Sequence, residues 1–257
     1  IIDLSFSRST EVLFEQLNLV VNDRDRVGLV GHNGCGKSSL LSLIGGDEVA
    51  DSGEIRTPKG LNIAFVEQFV EASLLEQSLL DGALAVLDHE SIASLAWMAE
   101  SQLASLGFTD AQFQLPVKDL SGGQQNLLLI ARALLLEPEL LLMDEPRNHM
   151  DILAMKQLEI FLNQQCQCPF VIISHDRHLL NNVCTKTVFL RDKRSYEFDL
   201  PYDEAEAQLA DLDKQAAKHR AQEEKEIKRL KASAKRLAIW GREHDNESLA
   251  RKAQSIE

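Results

Sequence analysis

The sequence predicts an α/β protein built on a parallel sheet, and three observations carry that prediction. Short apolar runs alternate with helix-length segments over the first two hundred residues. Two of the runs, at 140–143 and 170–173, are almost wholly apolar, as strands covered on both faces of a parallel sheet must be. A third run, at 27–30, leads through a glycine-rich turn into an apolar helix.

Taken in order, apolar residues bounded by turn formers predict strands at 12–14, 17–21, 27–30 and 63–66. The turn at 31–37 is followed by a short helix at 38–44. From 73 to 106 the apolar residues Leu74, Leu75, Leu79, Leu84, Leu87, Leu95, Met98 and Leu103 follow a helical pattern. A helix at 126–136 precedes the strands at 140–143 and 170–173. After Pro201 the texture changes. Residues 203–237 lack Gly and Pro and are crowded with Ala, Gln, Glu, Lys and Arg, which are good helix formers. Within them Ile227, Leu230, Ala234 and Leu237 follow a 3, 4, 3 spacing, a short coiled-coil seam. Residues 241–246 break the pattern, and Asn246 is placed to cap a second helix carrying Leu249, Ala250 and Ala253. The expected organisation is an α/β domain over 1–200 and a charged, incomplete helical hairpin over 201–257.

Composition narrows the function classes. With 257 residues, 44% hydrophobic and 26% charged, the chain has the makings of one or two globular domains. It begins at Ile1 and stops within a helix-like pattern, so a piece of a longer protein is expected. The net charge is -13, but residues 1–213 hold 15 Lys+Arg against 33 Asp+Glu, whereas 214–257 hold 12 against 7. The acidic bulk repels a phosphate backbone, so only the C-terminal segment favours a polyanion. The richest apolar stretch, 127–143, is interrupted by Arg132, Glu137, Pro138 and Glu139, so neither a transmembrane helix nor a secretory signal is expected. Cys35, Cys166, Cys168 and Cys184 have no disulfide or zinc spacing. The Cys166–Gln167–Cys168 pair could hold a metal, but reduced bystander thiols of a cytoplasmic protein are the expectation.

Three motifs carry chemistry. Gly31, His32, Asn33, Gly34, Cys35, Gly36, Lys37 and Ser38, with Ser39 following, match G-x-x-x-x-G-K-[ST] between a strand and a helix. Glycines let main-chain amides turn inward around an anion, and the helix start adds partial positive charge. Lys37 is then expected to reach β- and γ-phosphates and Ser38 to hold Mg²⁺. Second, the run Leu140-Leu141-Leu142-Met143-Asp144-Glu145 ends a buried strand on two carboxylates, at the end of the sheet where ligands bind. Asp144 is expected to act on the metal and Glu145 to accept a proton from, or orient, an attacking water. Third, Ser121, Gly122 and Gly123 before a helix make a second anion-binding helix start. One nucleotide does not need two cradles, so the second is expected to serve a nucleotide held by another copy.

Together these motifs resemble the nucleotide-binding cassette of the ABC ATPase superfamily over about residues 1–200. The resemblance implies a P-loop NTPase fold of the ABC ATPase type, with a parallel-sheet core, an antiparallel β subdomain and a helical subdomain. It implies ATP and Mg²⁺ as ligands, and ATP hydrolysis. It makes Gln68, in Phe65-Val66-Glu67-Gln68, the Q-loop glutamine that contacts Mg²⁺ and water. It makes His175, in Ser174-His175-Asp176, the switch histidine that senses the γ-phosphate. A narrower likeness is to the ABC-F family. The run Asp144-Glu145-Pro146-Arg147-Asn148-His149-Met150-Asp151 is similar to that family's D-E-P-T-N-H-L-D, and Ser174-His175-Asp176-Arg177-His178-Leu179-Leu180 to its S-H-D-R-x-F-L. This implies a first cassette joined by a helical linker to a second one, acting at the ribosome where the linker contacts tRNA. The chain departs from the family in three places: Arg147 stands for the usual Thr, Leu127 or Leu128 for an Arg after the signature, and Arg8, with Phe6 nearby, for the adenine-stacking aromatic. A planar guanidinium can itself stack on a base.

Two other readings share this site. An ATPase subunit of a membrane transporter would lack the Asn-His-Met-Asp run and the charged hairpin. A chromosome-associated ATPase head would carry a long coil between the two glycine motifs, yet Ser121 follows Lys37 by only 84 residues.

Overall fold

The computed structural model describes residues 1–147 and 150–243. These comprise a compact unit from Ile1 to Ala205 and a second unit beginning at Glu206. The local patterns of the first unit resolve into two sheets with helices packed on them.

The chain opens with an antiparallel pair, β1 (Ile2–Arg8) and β2 (Glu11–Leu17), turning through Ser9 at a φ of 58°. The short strand β4 (Ser52–Glu54) pairs with the other edge of β1. This three-stranded sheet is the antiparallel β subdomain. The expected strands at 12–14 and 17–21 are in fact one strand that ends at Leu17. Beyond it Leu19 is buried and still exchanges main-chain hydrogen bonds with Ile1, at 2.8 and 3.3 Å, although the strand itself ends at Leu17.

The second sheet has the order β5-β6-β7-β3-β8-β9, where β3 is Arg26–Gly31, β5 is Ile63–Val66 and β6 is Leu140–Asp144. Its remaining strands are β7 (Phe170–Ile173), β8 (Lys186–Arg191) and β9 (Arg194–Phe198). All neighbours are parallel except β8 and β9, a hairpin whose two-residue turn, Asp192–Lys193, has both φ values positive, at 53° and 62°. Every residue of β6 and β7 is buried, as their unbroken apolar composition requires. Each such Leu or Ile contributes about 1.5–3 kcal/mol of burial.

Helices cover the sheet. The first, α1 (Lys37–Gly45), packs on β3, β5 and β6. The expected helical pattern over 73–106 divides into a short 3₁₀ turn, α2 (Leu79–Leu84) and α3 (His89–Ser105). Ser78 causes the first division: its hydroxyl accepts the Asp81 amide and so caps a new helix. These helices pack with α4 (Gly122–Leu135) as the helical subdomain. The buried Arg132, which interrupts the apolar run in sequence, donates from Nη1 to the Gly82 carbonyl at 2.5 Å and so ties α4 to α2. Helices α5 (Ile152–Gln164) and α6 (Arg177–Val183) pack on each other, each capped by an aspartate, Asp151 and Asp176.

From Tyr202 the chain enters α7 (Tyr202–Glu243). Its first turn is fixed in the first unit, where Tyr202 lies under the Arg177 guanidinium at 5.1 Å and beside Phe189. In the second unit α7 is largely exposed, including Leu212, Ile227 and Leu230. The expected break at 241–246 differs in place, because the helix runs through Gly241 to Glu243. The Asn246 cap and the second helix with Leu249, Ala250 and Ala253 lie outside the described residues.

Candidate active site

The site is built where β3, β6 and β7 end side by side. Gly31 closes β3, and the loop then turns through Gly34 and Gly36, with φ of 83° and 97°. These backbone values favour glycine, which has no Cβ to strain. Gly36 is the N-cap of α1 and offers no side chain to the helix start, so the first amides of α1 face outward without an intrahelical acceptor. The Lys37 Nζ folds over this loop and donates to the carbonyls of Gly31 at 2.9 Å and His32 at 3.2 Å. The Cys35 amide likewise donates to the His32 carbonyl.

A cleft of about 640 Å³ opens over the loop. Its floor is Asn33, Gly34, Gly36, Lys37, Ser38 and Ser39. Its far wall is Asp144, Glu145 and His175. The β1–β2 turn supplies the near wall with Arg8, Ser9, Thr10 and Glu11. Of the expected loop residues, His32 and Cys35 instead line a separate cavity of about 190 Å³, and burial pushes the Cys35 thiol up from its ordinary value.

The acids differ in surroundings. Asp144 is buried, and the Gln68 side chain reaches it across the start of the segment after β5, Nε2 to Oδ2 at 3.4 Å. Glu145 leaves the strand with a φ of 49°, a left-handed conformation uncommon for glutamate. Its amide still bonds the Ile173 carbonyl at 3.0 Å. Its carboxylate points toward His175, with Oε1 3.5 Å from Nε2, and that buried oxygen has no good hydrogen bond among the described residues. Burial raises the Glu145 carboxyl above its ordinary value, and the nearby His175 and Lys37 oppose the shift.

These donors suit magnesium. The Ser38 hydroxyl, the Gln68 amide and the Asp144 carboxylate are hard oxygen groups. A buried carboxylate met by a neutral amide, beside a second carboxylate with an orphaned buried oxygen, is a site that a cation would satisfy. Among the described residues no group of three or more His, Cys, Asp or Glu forms a metal site by itself, and none of the four cysteines is in a disulfide.

The second glycine motif, Ser121-Gly122-Gly123, lies apart from this cleft. The Ser121 hydroxyl accepts the Gln124 amide at 3.3 Å, and the Gln124 side chain returns to the Ser121 amide at 3.0 Å. This capping box sets the helix start, so α4 begins at Gly122, earlier than the expected 126. Gly122 is exposed. Gly123 is buried against the start of α5, where a Cβ would stand 2.7 Å from the Ala154 Cβ and 3.3 Å from the Asp151 amide nitrogen.

Of the departures, Phe6 is buried and stacks on Phe14 at 6.4 Å, which removes it as a base platform. Arg8 is exposed at the cleft and pairs with Glu48 at 3.4 Å. Arg147 forms an ion pair with Asp176 and contacts the Met155 sulfur. Residues 148 and 149 of the run after β6 lie outside the described residues. Sequence reasoning missed Ser9, Thr10 and Glu11, which reach the cleft only because the β1–β2 turn hangs over the loop.

Residues 14–148 match the family model described as "ABC transporter", a match over more than half of the chain. The chain belongs to that family. Within it the chain is of the ABC-F type, the type of its relatives YheS and Uup. It is 35% identical over 251 residues to the "Probable ATP-binding protein YheS" of Haemophilus influenzae, a match over 87% of this chain and 39% of that protein. It is 36% identical over 208 residues to the "ATP-binding protein Uup" of Caulobacter vibrioides, over 80% of this chain and 32% of the relative. The chain thus spans about two fifths or less of the length of these relatives. A solved metal-chelate type ABC transporter in an inward-facing conformation superposes with a TM-score of 0.66 and 29% identity, over 76% of this chain and 80% of that one. The fold is therefore that of an ABC ATPase cassette. No described helix is long and apolar enough to cross a membrane.

Proposed function

We propose that this cassette binds and hydrolyses Mg-ATP at the cleft over Gly31–Ser38, as half of a composite site that a second cassette completes. The observation that carries the reading is the convergence of Lys37, Ser38, Asp144, Glu145 and His175 on one cleft. Ser38, Gln68 and Asp144 would hold Mg²⁺, which when bound neutralises charge on the phosphates. The loop amides and the α1 start receive phosphate oxygens. Lys37 exchanges its two carbonyl acceptors for the β- and γ-phosphates. Glu145 accepts the proton of the attacking water at its carboxylate or fixes that water in line, a role its raised pKa favours. His175, held beside it, contacts the γ-phosphate. Arg8 offers a guanidinium plane to the base.

Ser121, Gly122 and Gly123 lie outside the cleft, which supports their use on a nucleotide held by the partner cassette, in the missing part of the protein or in another copy. Closure would then be nucleotide-dependent. In the complete protein this closure would position the helical arm, which is basic from residue 214 onward, on ribosomal RNA or tRNA in the cytoplasm, as a translation factor.

Calorimetric titration with Mg-ATP tests the cleft, and absence of heat refutes it. Glu145→Gln should keep ATP binding, lower turnover by about 10²- to 10⁴-fold and accumulate a closed dimer. Loss of ATP binding in that variant would remove Glu145 from the assigned role. Ribosome pelleting over a salt series tests the arm. Binding should weaken steeply with salt, and salt-insensitive binding would contradict a phosphate contact.

A further inference from the structure

The sheet fixes the spacing of β6 and β7 only as far as Asp144 opposite Ile173 and the Glu145 amide on the Ile173 carbonyl. Beyond that point both chains leave the sheet, and the two functional side chains, Glu145 and His175, lie on those departing segments. Something other than the ladder must hold them 3.5 Å apart.

The ion pair between Arg147 and Asp176 spans these same two segments. Asp176 is itself fixed. Its Oδ1 accepts the amides of His178 at 2.7 Å and Leu179 at 3.2 Å, capping α6, and its own amide donates to the Ser174 hydroxyl at 3.1 Å. Arg147 meets the other carboxylate oxygen with one arm of its guanidinium and the Met155 sulfur of α5 with the other. Both side chains are mostly covered, 26% and 20% exposed, so the pair is better shielded from solvent than a surface one. The threonine that the ABC-F pattern has at this place carries no charge to pair with Asp176.

We propose that Arg147 is a positioning residue, which sets His175 against Glu145 by clamping Asp176. The proposal rests on the ATPase reading above. It acts on the chemical step and leaves ATP binding to Lys37 and Ser38 on the other side of the cleft.

The test compares Arg147→Thr, Arg147→Lys, Asp176→Asn and the double variant Arg147→Thr/Asp176→Asn with wild type and Glu145→Gln, all in the complete protein. Arg147→Thr should lower kcat by about 10- to 100-fold with KM for ATP unchanged, the scale of a misplaced catalytic group. Arg147→Lys should recover part of the loss, and the double variant should be no worse than the poorer single one. Equal kcat in Arg147→Thr and wild type, a loss that appears in KM or ATP affinity instead, or additive single losses would overturn the proposal. If Glu145→Gln abolishes turnover while Arg147→Thr retains it, only the clamp fails. If the wild type does not turn over, or Glu145→Gln turns over like it, the ATPase reading fails and the clamp with it.

Discussion

Two glycines of the loop have the same kind of backbone but different surroundings, which makes them a matched pair. Gly34 has a φ of 83° and nothing within 4 Å of where a Cβ would stand. Gly36 has a φ of 97°, and its Cβ would stand 2.7 Å from Cζ and 3.0 Å from Cε1 of Phe14. Phe14 is 1% exposed, stacked on Phe6, so its ring cannot swing away as a surface side chain would. Gly34→Ala should therefore cost only backbone strain, about 1–2 kcal/mol. Gly36→Ala adds overpacking of about 1–3 kcal/mol, for a total of about 2–5 kcal/mol. The difference should put the melting temperature of Gly36→Ala about 2–12 °C below that of Gly34→Ala. Thermal unfolding without nucleotide reads this directly. Mg-ATP calorimetry on the same samples should show weakened binding in both. Equal melting temperatures would refute the argument, since they would mean that Phe14 does not brace the loop.

Two further outcomes follow from the same geometry. Lys37→Ala should weaken Mg-ATP binding by about 10- to 100-fold, the worth of a charge-assisted bond, and unchanged calorimetric affinity would exclude the lysine from the site. Among the cysteines, the hydrogen bond from Cys166 lowers the Cys168 thiol, the same contact raises Cys166, and burial pushes Cys184 up to about 12. A lowered thiol carries more thiolate at a given pH, so iodoacetamide at mildly alkaline pH should label Cys168 before either Cys166 or Cys184. Peptide mass spectrometry checks the order, and early labelling of Cys184 would contradict it.

The central strands and the loop were legible because each rests on a local rule. An unbroken apolar run of four or five residues can sit in a covered parallel sheet, and G-x-x-x-x-G-K-S encodes its own turn. The edges were less legible. The strand expected at 17–21 ends at Leu17, and the pairing of Leu19 with the Ile1 main chain beyond it is a long-range contact that composition does not bound. The single helical pattern over 73–106 hid the Ser78 cap, since a serine between leucines reads equally as a helix surface. In the site, residue types were readable, but their pairings were not. Gln68 meets Asp144 across 76 residues of sequence, and Arg147 meets Asp176 from the segment that follows the neighbouring strand. Such contacts depend on strand order, which no local spacing encodes. The Ser121 hydroxyl shows the converse. Its anion-binding appearance and its capping role have the same sequence signature, and the structure uses it as a cap.

The burial of Gly123 against Ala154 has a mechanical consequence. With the start of α4 in near main-chain contact with the start of α5, no compressible side chain lies between them. A push on one start is passed directly to the other. Enlarging that single residue by a methyl group would act like a shim, changing the rest position of Ser121 and Gly122 without altering any polar group.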